Sequence, residues 1–137
     1  MNTKEHAVAV ALITPSGVPM IRDPKKPAPV FWKFPGGRGS SEETAAGTAV
    51  REYWEETGIK LEESDLSVIF QEDRGNHILT IFAVVLPTLP PMRKRGDEGE
   101  EIALAITATL SKLPGLFPPH KKWVGEILAR TAATAAR

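Results

Sequence analysis

Residues Gly37 to Ile59 read GRGSSEETAAGTAVREYWEETGI, and this stretch decides what the rest of the chain must be. A glycine loop leads into a helix. Arg51, Glu52, Glu55 and Glu56 stand near the helix end, and Gly58 stops it. A helix turns about 100° per residue, so side chains three and four apart share a face. Glu52, Glu55 and Glu56 therefore project into one sector. Ala46, Ala49, Val50, Tyr53 and Thr57 fall roughly opposite and form a stripe for burial. Like charges at that spacing weaken an isolated helix by about 0.2–0.5 kcal/mol per pair. A divalent cation is the simplest group to offset that cost, because a hard ion such as Mg²⁺ takes oxygen ligands from one or two carboxylates plus phosphate and water.

The residues just upstream extend the pattern. Val30 to Phe34 reads as a short strand, and the run Trp32-Lys33-Phe34-Pro35-Gly36-Gly37 leads from it into the glycines. The glycines let the backbone come close to a ligand. Ser40 followed by Glu43 has the spacing of a capping box, which predicts a helix start near residue 41.

Gly37, five residues, Glu43, seven residues and then Arg51-Glu52-Tyr53-Trp54-Glu55-Glu56-Thr57-Gly58-Ile59 resembles the Nudix box. Every fixed position is met over 23 of 137 residues. Tyr53 is a mild departure, since a bulky aliphatic residue is usual there and a tyrosine hydroxyl wants a partner.

The remaining sequence sets the bounds. A chain of 137 residues fits one domain, 1–137, with a single good core. Lys plus Arg and Asp plus Glu are equal at 17 each, which argues against bulk attraction to nucleic acid or an anionic membrane. There is no cysteine, so disulfides and thiolate metal sites are excluded. No apolar run is long enough to span a bilayer, and MNTKEH lacks a signal-peptide pattern. A cytoplasmic location is the expectation.

The elements follow in order. AVAVALI (7–13) is a continuous apolar strand that suggests burial on both faces. A Thr14–Gly17 turn and a returning strand, Val18 to Arg22, predict a hairpin. DPKKPAP (23–29) reads as a solvated loop in which Lys25 or Lys26 could meet phosphate. Leu66 to Glu72 and HILTIFAVVL (77–86) read as strands around a turn, and Ile102 to Thr107 as another. A final helix runs from His120 to about Ala133, with Trp123, Val124, Ile127 and Leu128 inward and an alanine-rich end expected to fray. No histidine stands at metal-ligand spacing.

The order β-β-β-α-β-β-β-α is compatible with the fold the resemblance implies: a Nudix-type α/β/α sandwich with a mixed sheet between helices. The resemblance also implies Mg²⁺-dependent hydrolysis of a nucleoside diphosphate linked to another group X, with Mn²⁺ as a substitute. Glu55 and Glu56 then stand as metal ligands, and Glu52 as a further ligand or the base that orients water. Glu43 and Arg51 support them, and Gly36 or Gly37 offers a backbone carbonyl. One more glutamate is expected from outside the box. Glu98, Glu100 and Glu101 are open for that place, with Glu100 taken as the metal candidate. Arg38, placed to meet phosphate, with Trp32 and Lys33, are the candidate substrate contacts. The partner is a small nucleotide or diphosphate, and a homodimer is left open. A non-catalytic Nudix module that binds nucleotide or a protein is the alternative, although such modules tend to lose box glutamates and none is lost here. The markers of coenzyme A, ADP-ribose and dinucleoside polyphosphate enzymes are each absent, so X stays open.

Overall fold

The structure, a computed structural model, describes residues 4–135. The apolar run becomes β1 (Glu5–Ile13), the innermost strand on which the fold is built. β1 pairs in parallel with β5 (His77–Val85), in register from Glu5 opposite His77 to Ile13 opposite Val85. β4 (Ser67–Asp73) runs antiparallel to β5 with an irregularity between Val68 and Phe70. β3 (Gly36–Gly39) runs antiparallel to β1, giving a mixed four-stranded sheet in the order β3-β1-β5-β4.

Alternation along β1 then sorts two cores. Val8, Val10 and Leu12 point to one face and meet Phe82, Val84, Ala49 and Tyr53. Ala9, Ala11 and Ile13 point to the other and meet Ile81, Ala83, Val124 and Ile127. Helix α1 (Ala45–Thr57) covers the first face. Helix α3 (Val124–Ala135), which follows a short α2 (Pro118–Lys121), covers the second. Each fully buried Val, Leu or Ile contributes about 1.5–3 kcal/mol, so a strand buried on both sides is the main anchor. The backbone of α3 is described as far as Ala135, and the side chains beyond residue 131 lie outside the described residues.

Three expectations are corrected. The Thr14–Gly17 turn forms, closed by the Thr14 Oγ1 bond to the Gly17 carbonyl at 2.8 Å, but no hairpin follows. β2 (Val18–Arg22) instead pairs antiparallel with β6 (Glu101–Ala105) in a separate two-stranded sheet. Val18, Met20 and Ala105 bury there against the second core, which draws β2 away from β1. Second, 30–34 is not a strand: Trp32 and Lys33 make only isolated bridges, to Leu116 and Ile21. The ladder to β1 is made by the glycines themselves, because a side chain at Gly36 would collide with the Val8 carbonyl.

Third, α1 begins at Ala45. Thr44 is its cap, accepting the Gly47 N–H at 3.0 Å. Ser40 caps nothing in α1: its Oγ accepts the Glu42 N–H at 3.2 Å, and the Glu43 carboxylate turns to Arg51. The C-terminal end is as expected: Gly58 takes φ 78° and its N–H donates to the Trp54 carbonyl at 2.8 Å.

Candidate active site

Arg51 is the hub of the acidic helix end. Its Nε and Nη2 donate to the two oxygens of Glu43 at 2.9 and 3.0 Å, a forked pairing. Nη1 donates to Glu52 Oε1 at 3.1 Å and to Glu55 Oε1 at 3.1 Å. Nη2 also reaches the Arg38 carbonyl at 3.0 Å, tying α1 to β3. The Arg51 guanidinium holds the Glu43 carboxyl below the usual range. Those carboxylates in turn hold Arg51 firmly protonated.

Glu56 faces the sheet and is buried. Its Oε1 accepts the Gly36 N–H at 2.7 Å, so the first residue of β3 fixes the carboxylate. Burial lifts the Glu56 carboxyl to about 8, against an ordinary 4.5, even though the Gly36 bond pulls the other way. Glu52 is lifted too, by burial, against the pull of Arg51. Its carboxylate lies over Gly37, where an added Cβ would strike it. β3 is therefore glycine on both sides for a reason: Gly36 must approach β1, and Gly37 must leave room for Glu52.

The loop before β6 docks on the end of α1. The Arg93 N–H donates to the Thr57 carbonyl at 2.8 Å and the Asp97 N–H to the Glu55 carbonyl at 3.1 Å. These bonds satisfy carbonyls that a helix end leaves without partners. The same loop brings in Glu100, which is buried and accepts the Glu98 N–H at 3.1 Å. Glu101 is occupied elsewhere. It stands opposite Arg22 in the β2–β6 ladder and takes its guanidinium at 3.0 Å.

A cleft of ≈ 280 Å³ results. It is lined by seven carboxylates (Asp23, Glu52, Glu55, Glu56, Asp97, Glu98 and Glu100) and two lysines, Lys26 and Lys33. Gly36 and Gly37 form part of the wall. Of the expected site residues, the structure brings together Glu52, Glu55, Glu56, Gly37, Glu100 and Lys33, with Arg51 and Glu43 supporting them from behind. Arg38 and Trp32 stand apart from this cleft. Arg38 is exposed, 3.8 Å from Glu5, and lines an adjoining cavity with Gly36, Gly37 and Phe34. Trp32 lies beneath the Arg22 guanidinium at 4.4 Å. Asp23 and Asp97 line the cleft without having been singled out. Both stand in loops, where no helical or strand spacing marks a side chain for the site.

The donors are oxygen, and negative charge exceeds positive, which fits a hard divalent cation. Among the described residues, no three carboxylates or imidazoles converge closely enough to hold an ion as they stand. Arg51 Nη1 sits between Glu52 and Glu55 and takes Glu52 through Oε1.

Fold and cleft together define an α/β protein with a carboxylate site at the end of one helix. A family model described as the NUDIX domain matches residues 3–130. The chain belongs to the NUDIX domain family, whose hydrolases act on pyrophosphate bonds. It is 51% identical over 45 residues to nucleoside diphosphate-linked moiety X motif 6 of Mus musculus. That stretch is 33% of this chain and spans only 14% of the mouse protein. Among solved structures, a MutT from work on Aliivibrio salmonicida and Vibrio cholerae matches with a TM-score of 0.73 at 23% identity, covering 93% of this chain and 98% of that one. A bifunctional NMN adenylyltransferase/ADP ribose pyrophosphatase from Francisella tularensis, complexed with AMP and Mn ion, gives 0.70 at 21%, covering 95% and 42%. At these identities the two structures show the fold alone.

Proposed function

We propose that the chain hydrolyses a diphosphate linkage in a nucleoside diphosphate joined to a further group X, with the help of Mg²⁺ or, in its place, Mn²⁺. The observation that carries this reading is a buried Glu56, held by Gly36, in a cleft where carboxylates outnumber lysines seven to two. Glu55, Glu56, Glu100 and the Gly37 carbonyl would hold the cation. When bound, it would neutralise phosphate oxygens and acidify a water.

The chain's own groups do the rest. Glu52, whose proton affinity is raised by burial, accepts the proton of the attacking water. The water oxygen forms a bond to phosphorus, and the P–O bond to the leaving phosphate group breaks. Arg51 orients Glu52 and Glu55 and keeps Glu43 ionised. Lys33 and Lys26 face the cleft as fixed positive charge for the departing phosphate. In-line displacement asks mainly for such positioning and charge stabilisation.

The test is product release from a panel of nucleoside diphosphate derivatives, with Mg²⁺ and with EDTA, in wild type and Glu56→Gln. Metal-dependent turnover lost in the variant supports the reading. A wild type that binds nucleotides and turns none over makes it a binding module instead. The mouse relative's name and the AMP and Mn ion of the Francisella structure point the same way.

A further inference from the structure

We propose that Arg93, laid over the Trp54 ring, latches the loop before β6 onto the end of α1 and so keeps Glu100 turned into the cleft before any cation arrives. Arg93 and Trp54 are then positioning residues that act through Glu100. This deepens the hydrolase reading and rests on it for the place of Glu100 around the cation. Neither Arg93 nor Trp54 lines the cleft. Trp54 is instead 48% exposed, a large ring left at the surface beside the acidic helix end. The Arg93 guanidinium lies 5.1 Å from the ring centre, within the ~6 Å at which a cation is drawn to an aromatic face.

The route of the loop shows what this contact governs. Met92 packs against the first core, so the chain is anchored just upstream. Arg93 then donates its N–H to the Thr57 carbonyl, and its side chain crosses Gly58, where an added Cβ would meet Arg93 Cγ at 2.6 Å. The glycine that ends α1 thus also opens the way for Arg93 to reach Trp54. Beyond it, residues 96–100 close on themselves. The Gly96 N–H donates to the Glu100 carbonyl and the Gly99 N–H to the Gly96 carbonyl, each at 3.0 Å. Such a turn moves as a unit, so whatever fixes its base fixes the Glu100 carboxylate.

The turn needs holding. Glu100 and Glu56 are both buried, and Gly96 lies between the Glu100 carboxylate and the Glu56 carbonyl, so that a Cβ there would crowd both. Carboxylates brought together out of water repel one another. Without a cation, the charge in the cleft therefore pushes the loop away from α1. The Arg93 and Asp97 backbone bonds to α1 and the stack on Trp54 oppose that push. On the other side of the cleft Lys25 Nζ donates to the Glu98 carbonyl at 2.7 Å, a single exposed bond. A positive side chain at the C-terminal end of α1 is also favoured by the helix dipole. A loop already in place spares the cation the cost of ordering it.

The experiment measures Mn²⁺ affinity by electron paramagnetic resonance at pH 8, and amide hydrogen exchange in EDTA, on the full chain. The proteins are wild type, Trp54→Ala, Trp54→Phe, Arg93→Ala, and Trp54→Ala combined with either Arg93→Ala or Glu100→Gln. Alanine is the best helix former, so Trp54→Ala should keep α1 and melt near wild type. It should weaken Mn²⁺ binding by about three-fold, the scale of one exposed cation–π contact, and should speed exchange of the Asp97 N–H while the interior of α1 exchanges as before. Trp54→Phe keeps an aromatic face and should restore most of the affinity. Arg93→Ala removes a positive charge, which by charge alone would strengthen cation binding; a weaker site in that variant is the mark of positioning. Trp54→Ala should change nothing further in the Arg93→Ala or the Glu100→Gln background, since the contact acts through those two residues. Unchanged Mn²⁺ affinity in Trp54→Ala, or an equal loss in the Glu100→Gln background, overturns the proposal. Should wild type take up no Mn²⁺, the hydrolase reading loses its cation and exchange decides the latch: faster Asp97 exchange in Trp54→Ala leaves it standing, and unchanged exchange overturns it.

Discussion

Glu56→Gln should stabilise the metal-free protein at alkaline pH, and the size of the effect follows from where Glu56 sits. Its carboxyl is buried, bonded to one N–H, and lifted from 4.5 to about 8. Between those values the folded chain keeps a proton that the unfolded chain has lost. Stability therefore falls as pH rises through this window, at about 1.4 kcal/mol per pH unit for one proton. His120 has the opposite sign: burial drops it from 6.5 to about 4, so it costs stability only as pH falls below 6.5. From 6.5 to 8, then, the slope belongs to Glu56. Wild type should lose about 2 kcal/mol across that interval, and Glu56→Gln should lose much less. Urea melts in EDTA at half-unit pH steps, for both proteins, read the difference. Parallel curves for the two proteins above pH 6.5 would refute the argument, because Glu56 would then titrate alike in both states. Adding Mg²⁺ at pH 8 should stabilise wild type more than the variant, since a cation that binds only the folded form shifts the balance toward it.

Other outcomes follow from the same geometry. Tyr53 is fully buried and its Oη has no hydrogen-bond partner among the described residues, so Tyr53→Phe should raise stability by about 1 kcal/mol, visible as a higher Tm. Arg51→Lys cannot fork onto Glu43 while also reaching Glu52 and Glu55; it should cost about 1–2 kcal/mol in denaturant melts, a modest figure because the side chain is 38% exposed, and should lower kcat more than it changes KM. Gly37→Ala places a methyl against the Glu52 carboxylate and should lower turnover at least about ten-fold with a near-native melt, whereas Gly36→Ala, which strikes the Val8 carbonyl, should lower the melt itself.

The site's helical half was legible in the chain because a helix converts spacing into geometry: Glu52, Glu55 and Glu56 had to share a sector. The strand half was harder. Gly36 to Gly39 form β3 although glycine disfavours strands, because closeness to Val8 matters more there than propensity. The Thr14–Gly17 turn was readable, but not that β2 would leave for β6, a choice made by burial across the fold. Nor could sequence separate Glu100 from Glu101. Strand alternation does so once Arg22 is seen to stand opposite Glu101. Asp23 and Asp97 enter the cleft from loops far apart in sequence, and no local pattern announces such a meeting; Lys26, in the same loop as Asp23, was readable only as a lysine that could meet phosphate.

The claim beneath all of this is that the carboxylates at the end of α1 exist to hold a cation. Mn²⁺ titration followed by electron paramagnetic resonance at pH 8, in wild type and in the Glu55→Gln, Glu56→Gln double variant, tests it without needing a substrate. The account predicts bound Mn²⁺ in wild type and its loss in the variant. Equal Mn²⁺ uptake by the two proteins, or none by wild type, contradicts it.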